Sequence, residues 1–200
     1  MVNIAIFASG FGSNLQAIID AIESGKLDAI ISLVFSDKKD AVALERAKKH
    51  QLPFFYLAPK AFPSREEHEK IIIEHLEKLG VELIVLAGYM RILTPYIIRK
   101  YALRIINIHP ALLPSFPGTH GIEDAFNYGV KYTGVTVHFV DEGVDTGPII
   151  AQEVVKIEDG DTLETLAPKI HAIEHKLYPQ VIQWFSESRI KVEDRKVRIL

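Results

Sequence analysis

The feature of this chain that most constrains its fold is an alternation of short apolar runs with amphipathic segments up to residue 109. Runs such as Val2–Ala8 and Ala29–Phe35 have the length and β-branched content of buried strands. Between them, Asn14–Ser24 carries apolar residues at helical spacing. Continuous apolar strands alternating with helices are typical of an α/β fold, and we predict an open, mostly parallel twisted sheet with helices on both faces.

The pattern changes in the second half of the chain. Three prolines between residues 110 and 117 exclude regular structure from a long loop. Thr133–Val140 and Ile149–Ile157 are consecutive strands with no helix between them, which favours antiparallel pairing. A helical stretch from Asp161 to about Phe185 contains prolines at 168 and 179, which are expected to kink or divide it. The tail after Glu187 indicates an antiparallel C-terminal extension or an added edge strand.

Composition excludes several classes of function. The 23 basic and 26 acidic residues leave a net charge of −3, which argues against a nucleic-acid coat and a polybasic membrane anchor. The chain has no cysteine, so disulfides, thiolate zinc sites and a cysteine nucleophile are excluded. No apolar run reaches the roughly 20 residues of a membrane helix. We therefore expect a cytoplasmic protein with no nucleic-acid or membrane partner.

The first candidate site is the loop Gly10-Phe11-Gly12-Ser13-Asn14, between the first strand and the first helix. Its glycines allow a tight turn, and the helix N-terminus behind it attracts anions. It lacks the third glycine of the dinucleotide fingerprint and the lysine of a P-loop. Phosphate binding and a tight strand–helix turn with a Ser/Asn cap are both compatible with this pattern.

The second candidate site lies at the end of a buried strand, where open α/β sheets bind ligands. Asn107 and His109 are two residues apart, so their side chains share one face of that strand. An amide beside an imidazole can donate to a carbonyl oxygen that becomes negative, and histidine can act as a general acid. The alternative is a strand-end histidine that is hydrogen-bonded to a loop.

The third candidate site is the acidic, glycine-rich loop of residues 141–148. It lacks the ligand pattern of an EF-hand. The loop either delivers a carboxylate to a histidine or is a solvated hairpin. His171 and His175 lie four residues apart on a helix and could share a metal, although a solvated helix face also explains them, and we expect no metal.

These segments form one ordered set, and with it the chain resembles the phosphoribosylglycinamide formyltransferase (GAR transformylase) family of folate-dependent enzymes. The resemblance runs from about Ile4 to Phe185 and includes Leu86–Leu93 and Thr136–Phe139. It implies a Rossmann-like formyltransferase fold in a single domain, 1–200. Residues 1–105 would be the nucleotide-binding half, and residues 106–200 the catalytic and folate-binding half.

The resemblance also implies a role for each matched position. The catalytic residues would be Asn107, His109 and Asp145. Contacts to the nucleotide would come from Gly12, Ser13, Asn14, His171, Ala172, Ile173 and Glu174. Contacts to folate would come from Arg65, Met90, Arg91, Ile92, Leu93, Asn107, Asp141, Glu142, Gly143, Val144 and Asp145. Supporting positions would be His120, Thr136 and His138.

The implied reaction moves the formyl group of 10-formyltetrahydrofolate to the amine of glycinamide ribonucleotide in purine biosynthesis. Attack is direct and passes through a tetrahedral intermediate. Asn107 and His109 would stabilise the oxyanion, and Asp145 would tune His109. Neither a metal nor ATP takes part, the partners are small molecules, and members of the family are monomers or homodimers.

Three alternatives stay open from the sequence. Methionyl-tRNA formyltransferase shares the catalytic trio but would need an additional basic C-terminal domain. A formyl-folate hydrolase would carry an additional N-terminal domain. A non-catalytic nucleotide-binding module would need the glycine-rich loop but not the trio.

Overall fold

The alternating segments become strands and helices in the computed structural model, which describes residues 1–200. The chain divides into two compact units, residues 1–106 and 107–200. The first unit contains β1 (Val2–Phe7), α1 (Ser13–Glu23), β2 (Ala29–Ser36), α2 (Val42–Lys49), β3 (Phe54–Tyr56), a 3-10 turn (Pro59–Ala61), α3 (Arg65–Lys78), β4 (Leu83–Leu86) and α4 (Pro95–Lys100). Strand β5 (Ile105–His109) spans the boundary.

The strands of the first unit pair in parallel, with β1 between β2 and β4 and with β3 beside β2. All of β4 and all but one residue of β1 are buried, which is why these strands are continuous apolar runs. The register places Phe7 of β1 beside Leu86 of β4. The loops that follow these two strands therefore begin side by side, at the sheet edge where α/β folds bind ligands.

The second unit contains α5 (Gly121–Tyr128), β6 (Tyr132–Phe139), β7 (Ile149–Lys156), α6 (Leu163–Ser186), β8 (Ile190–Glu193) and β9 (Lys196–Ile199). Strands β6 and β7 pair antiparallel, as expected for strands with no helix between them. Strands β8 and β9 form a separate antiparallel hairpin. The predicted C-terminal extension is thus confirmed, and the alternative of an added strand in the main sheet is wrong.

The other seven strands form one mostly parallel sheet in the order β3-β2-β1-β4-β5-β6-β7. Consecutive parallel strands need a crossover connection, and helices supply it along the first half of the chain. The predicted α/β class, an open and mostly parallel sheet with helices and an antiparallel extension, is confirmed.

Helix α6 is continuous even though Pro168 and Pro179 lie within it, so the predicted division of this segment is wrong. A proline in a helix interior costs about 3 kcal/mol. Each fully buried large apolar side chain contributes about 1.5–3 kcal/mol, and α6 buries several, including Ile170, Leu177 and Ile182. Neither this helix nor any other has the length and mean hydropathy needed to span a membrane.

Candidate functional site

The glycine-rich loop between β1 and α1 exposes an uncapped helix N-terminus. Gly12 is the N-cap of α1, with φ of 74°, and no side chain caps the helix. A Cβ on Gly12 would lie 2.9 Å from the Cβ of Ala43, so both the backbone angle and the available space favour glycine. The amide oxygen of Asn14 is buried without a hydrogen-bond partner. Free N–H groups at a helix N-terminus are suited to binding an anion, whereas the Asn14 oxygen can accept a hydrogen bond from a donor group of a ligand.

Ser9, which is not among the predicted site residues, connects the loop after β4 to the end of β1. Its buried hydroxyl donates to Oδ1 of Asp37 (2.6 Å) and accepts from the backbone N–H of Met90 (2.9 Å). Its own N–H donates to the carbonyl of Gly88 (3.0 Å). These bonds fix the backbone at residues 88–90. Its only signal in the sequence was the Ser-Gly end of the first strand.

The predicted folate segment Met90–Leu93 combines this fixed backbone with exposed apolar side chains. Met90 and Ile92 are 62% and 59% exposed, whereas Leu93 is buried. Nη1 of Arg65 donates to the carbonyl of Ile92 at 3.4 Å, so Arg65 does lie at this segment, and Arg91 bonds with Tyr89. Exposed apolar side chains beside ordered polar groups are typical of a surface that binds a flat organic ligand.

In the second unit, Asn107, His109 and Asp145 lie together around one carboxylate. Oδ2 of Asp145 accepts from the N–H of Gly118 at 2.8 Å and lies 3.5 Å from Nδ1 of His109. Oδ1 of Asp145 lies 3.5 Å from Nδ2 of Asn107 and 3.6 Å from Nε2 of His138. The structure therefore brings the predicted trio together. It adds His138, which was predicted as a supporting residue, and the backbone N–H of Gly118, which was not predicted.

This carboxylate lies in a largely dry environment. The side chains of Asp145, His109 and His138 are 11%, 3% and 2% exposed. Burial alone would raise the pKa of Asp145, but hydrogen bonds from His138 and from the Gly118 N–H, with the charges of His109 and His138, lower it overall. Asp145 is therefore ionised at neutral pH.

The hydrogen-bond partners of His109 and Asn107 determine how they can donate. Nε2 of His109 donates to the carbonyl of Phe116 at 2.7 Å, while Nδ1 faces Asp145. Nδ1 of His138 donates to the carbonyl of Phe139 (2.8 Å), and its Nε2 lies 3.3 Å from Nδ2 of Asn107. Nε2 of His109 and Nδ2 of Asn107 can both donate instead to a substrate oxygen that becomes negative, because a charged acceptor competes well with a neutral one.

The loop of residues 141–147 holds Asp145 in an unusual backbone conformation. Asp145 has φ of 54°, in the left-handed region that non-glycine residues rarely adopt. Oδ1 of Asp141 accepts from the hydroxyl of Thr146 (2.6 Å) and from the N–H of Gly143 (3.1 Å). Arg195, between β8 and β9, donates from Nη2 to the carbonyl of Thr146 at 2.6 Å. Asp141 and Gly143 therefore shape this loop. Arg195 was missed, because the tail has no motif.

Gly147 gives a stability prediction, because a Cβ there would lie 1.8 Å from the carbonyl oxygen of Phe139. Gly147→Ala is expected to lower the free energy of unfolding by about 3 kcal/mol or more, since backbone must move to make room. Chemical denaturation measures the change. Gly160→Ala is the matched control, because a Cβ at Gly160 meets nothing within 4 Å. Equal stability of the two variants would contradict the prediction.

Thr136, predicted as a supporting residue, organises the loop that follows His109. Its buried hydroxyl donates to the carbonyl of Ala111 (2.7 Å) and accepts from the N–H of Leu113 (3.1 Å). Nε2 of Gln152 donates to the same hydroxyl (2.9 Å) and to the carbonyl of Leu113 (2.9 Å). Thr136 and Gln152 thus pin residues 111–113.

His120, also predicted as a supporting residue, lies at the start of α5. Its ring bonds with the hydroxyl of Thr119 at 3.0 Å, and its side chain is exposed. The next residue, Gly121, packs closely against His109, since a Cβ there would lie 3.0 Å from Nε2 of His109. Close packing against His109 therefore comes from Gly121 rather than from His120.

On α6, His171 and Glu174 form a hydrogen-bonded pair. Nδ1 of His171 lies 2.7 Å from Oε2 of the buried Glu174. The hydrogen bond from Glu174 raises the pKa of His171 above its ordinary value, against the opposing effect of burial. Ala172 is exposed and Ile173 half-buried. With Nδ1 of His171 bonded to Glu174, Nε2 on this exposed helix face is the ring nitrogen available to a polar ligand.

The acidic and histidine side chains show no arrangement suited to a metal ion. No group of three or more His, Asp or Glu residues has the geometry to hold one. The rings of His171 and His175 stack, with their centroids 6.5 Å apart.

Comparison with known proteins relates this geometry to characterised enzymes. Residues 2–182 match the family model described as formyl transferase. The phosphoribosylglycinamide formyltransferase of Bacillus subtilis (strain 168) is 48% identical over 183 residues, which cover 92% of this chain and 94% of that protein. The crystal structure of glycinamide ribonucleotide transformylase 1 from Symbiobacterium toebii has a TM-score of 0.97 and 44% identity, covering 100% of this chain and 94% of that one.

A related activity also appears among the solved structures. The formyltetrahydrofolate deformylase from Pseudomonas syringae pv. tomato has a TM-score of 0.91 and 29% identity. The match covers 100% of this chain but 66% of that chain. The fold is therefore shared with an enzyme named for the deformylation of formyltetrahydrofolate.

Proposed function

Because the chain belongs to the formyl transferase family and is thus a transferase, we propose that it formylates glycinamide ribonucleotide, with 10-formyltetrahydrofolate as the donor. The products are formylglycinamide ribonucleotide and tetrahydrofolate. The names of the relatives support this substrate, and purine biosynthesis is the corresponding pathway. The observation that carries the proposal is the convergence of Asn107 and His109 around the half-buried carboxylate of Asp145.

The proposed mechanism is direct attack by the amine. The glycinamide nitrogen adds to the formyl carbon, and the carbonyl oxygen becomes an oxyanion. His109 and Asn107 donate hydrogen bonds to that oxygen, which stabilises the charge as it forms. The bond between the formyl carbon and N10 of folate then breaks, as N10 gains a proton and the amine loses one. Neither a metal ion nor ATP is needed for these steps.

Asp145 supports this step in three ways. Its ionised carboxylate faces Nδ1 of His109 and stabilises the protonated ring, so that Nε2 keeps its proton for the substrate oxygen. The same carboxylate lies beside the amide nitrogen of Asn107 and helps to orient it. We propose that it also accepts the proton of the amine through water.

For the substrates, we propose that Gly12, Ser13 and Asn14 bind the phosphate of the nucleotide. Segment 171–174, with Glu174 as its buried anchor, contacts the ribose and glycinamide. The folate is bound by Arg65, segment 90–93 and loop 141–145. A cytoplasmic location, a monomeric or homodimeric state and the absence of nucleic-acid and membrane partners remain predictions, as does the assignment of ligands to the two halves of the chain.

Hydrolysis of formyltetrahydrofolate is the second candidate function, because the deformylase structure shares the fold over the whole chain. One assay separates the two. Purified protein is given 10-formyltetrahydrofolate with and without glycinamide ribonucleotide, and release of tetrahydrofolate is followed. We expect turnover only with the nucleotide. Equal release without it would support hydrolysis, and no release in either case would contradict both.

Ser13→Ala tests the phosphate side of the proposal. The hydroxyl is a ground-state contact to phosphate, so its loss is expected to raise KM for the nucleotide about tenfold and to leave kcat nearly unchanged. Steady-state kinetics with each substrate varied in turn gives the result. Ser188→Ala, a surface substitution just after α6, is the control. A fall in kcat with KM unchanged would contradict the phosphate role.

A further inference from the structure

We infer that Arg46, on α2, is a positioning residue for the phosphate-binding loop, an inference that rests on the proposed role of Gly12–Asn14. Arg46 lies outside every predicted site. It is half-buried, and its side chain reaches from the last turn of α2 to the tip of the loop. Its contacts place it behind the loop rather than in the ligand's position.

Three contacts define this placement. Nε of Arg46 donates to the carbonyl of Phe11 at 2.9 Å. The guanidinium carbon lies 4.6 Å from the centroid of the Phe11 ring, within the range of a cation–π contact. Nη1 donates to Oε1 of Gln16 on α1 at 3.1 Å. One planar guanidinium therefore joins the loop tip, the aromatic side chain and the helix that follows the loop.

The neighbouring turn of α2 completes the support. The N–H of Ala43 donates to the carbonyl of Gly10 at 3.0 Å, and Ala43 fills the space beside Gly12. Helix α2 therefore engages the carbonyl oxygens of residues 10 and 11. Those oxygens would repel a phosphate if they turned toward it. Binding them to α2 leaves the N–H groups at the start of α1 to face the anion.

The charge of Arg46 is also available to the loop. No carboxylate lies within ion-pair distance of its guanidinium. Gln16, whose Oε1 accepts from Arg46, donates from Nε2 to Oδ1 of Asp20 at 2.8 Å. The same Nε2 lies 3.2 Å from Nε2 of His50. His50 in turn pairs with Glu23 at 2.8 Å. The acidic groups are thus separated from Arg46 by the side chains of Gln16 and His50, and its positive charge remains to attract a phosphate.

The geometry requires arginine rather than a generic cation. Lysine carries one compact ammonium and cannot donate along the two directions of Nε and Nη1 while stacking flat on a ring. Arg46→Lys therefore separates charge from shape. Arg46→Met keeps an unbranched apolar stem and removes both the charge and the planar group.

The test measures nucleotide affinity and turnover for both variants. Arg46→Met is expected to raise KM for glycinamide ribonucleotide about tenfold or more, with kcat at saturation within about twofold and KM for the folate unchanged. Arg46→Lys is expected to recover less than half of the lost affinity on a logarithmic scale. Lys49→Met is the matched control, because it removes an exposed charge from the same helix and has no contact with the loop.

A readout without turnover keeps this inference separate from the proposed function. Titration with inorganic phosphate, followed by amide NMR shifts of residues 10–14, is expected to show binding by the wild type and weaker binding by both variants. If wild type does not formylate the nucleotide but binds phosphate more tightly than both variants, the proposed function fails and the role of Arg46 stands. Wild-type affinity in both variants, or full rescue by lysine, would overturn the role of Arg46. Phe11→Leu, at a 67% exposed side chain, checks the stacking contact without risk to the core.

Discussion

Asp145→Asn is expected to lower kcat about 100-fold or more, the range of a general acid–base contribution. The carboxylate accepts from Gly118 and faces His109, His138 and Asn107. An asparagine would direct an NH2 group at one side of this ring of donors and would remove the charge that stabilises a protonated His109. Steady-state kinetics at saturating concentrations of both substrates measures the loss.

The same variant makes a prediction about stability and pH. The folded pKa of Asp145 is lowered, so the charged carboxylate stabilises the fold above the ordinary pKa of about 3.9. That contribution is lost as the pH falls through the lowered folded value. The stability difference between wild type and Asp145→Asn should therefore shrink on acidification.

Asp159→Asn is the control for this substitution, because it makes the same chemical change at a 97% exposed side chain. Urea unfolding of both variants between pH 3 and pH 7 gives the comparison. A kcat of Asp145→Asn within fivefold of wild type would show that the residue only shapes its loop.

His109→Ala is expected to lower kcat by at least as much as the change at Asp145, about 100-fold or more. His109 is the only residue at the end of β5 with an imidazole N–H to donate. Its Nε2 hydrogen already bonds to a neutral acceptor, the backbone carbonyl of Phe116. Its removal takes away both a donor to the oxyanion and the group on which Asp145 acts. Kinetics at saturation measures the effect.

His109→Gln is the companion variant, since it keeps an amide donor near the same place and avoids a cavity at a side chain that is 3% exposed. It should recover part of the rate and most of the stability. Phosphate binding at the Gly12 loop should be normal in both variants. If alanine at 109 reduced stability but not kcat, the histidine would be a structural residue.

The local patterns of the sequence were sufficient for the fold class. Apolar runs such as those of β1 and β4 are buried on both faces, and this burial is visible in a single chain as an absence of alternation. The hairpin of β8 and β9 was predicted only as an antiparallel extension. Its contact from Arg195 to Thr146 joins segments 49 residues apart, and nothing local to either residue indicates it.

The candidate site also has one part that the sequence could predict and one part that it could not. Each motif alone was also compatible with a structural role, and only the resemblance of the ordered set to a known family pointed to Asn107, His109 and Asp145. Spacing could not show that Gly118 donates to Asp145 or that His138 faces Asn107. Both contacts depend on a loop and a neighbouring strand whose positions follow from packing.

The sequence by itself thus determined the α/β class, the order of the candidate segments and the residue types available for chemistry, since all three depend on short-range pattern. Only the tertiary structure decided which groups surround Asp145, why Asp145 is ionised in a dry environment, and how Arg46 supports the glycine-rich loop. The physical reason is that pKa values and hydrogen bonds depend on distances of a few ångströms between residues far apart in the chain. Those distances are set by the packing of whole elements.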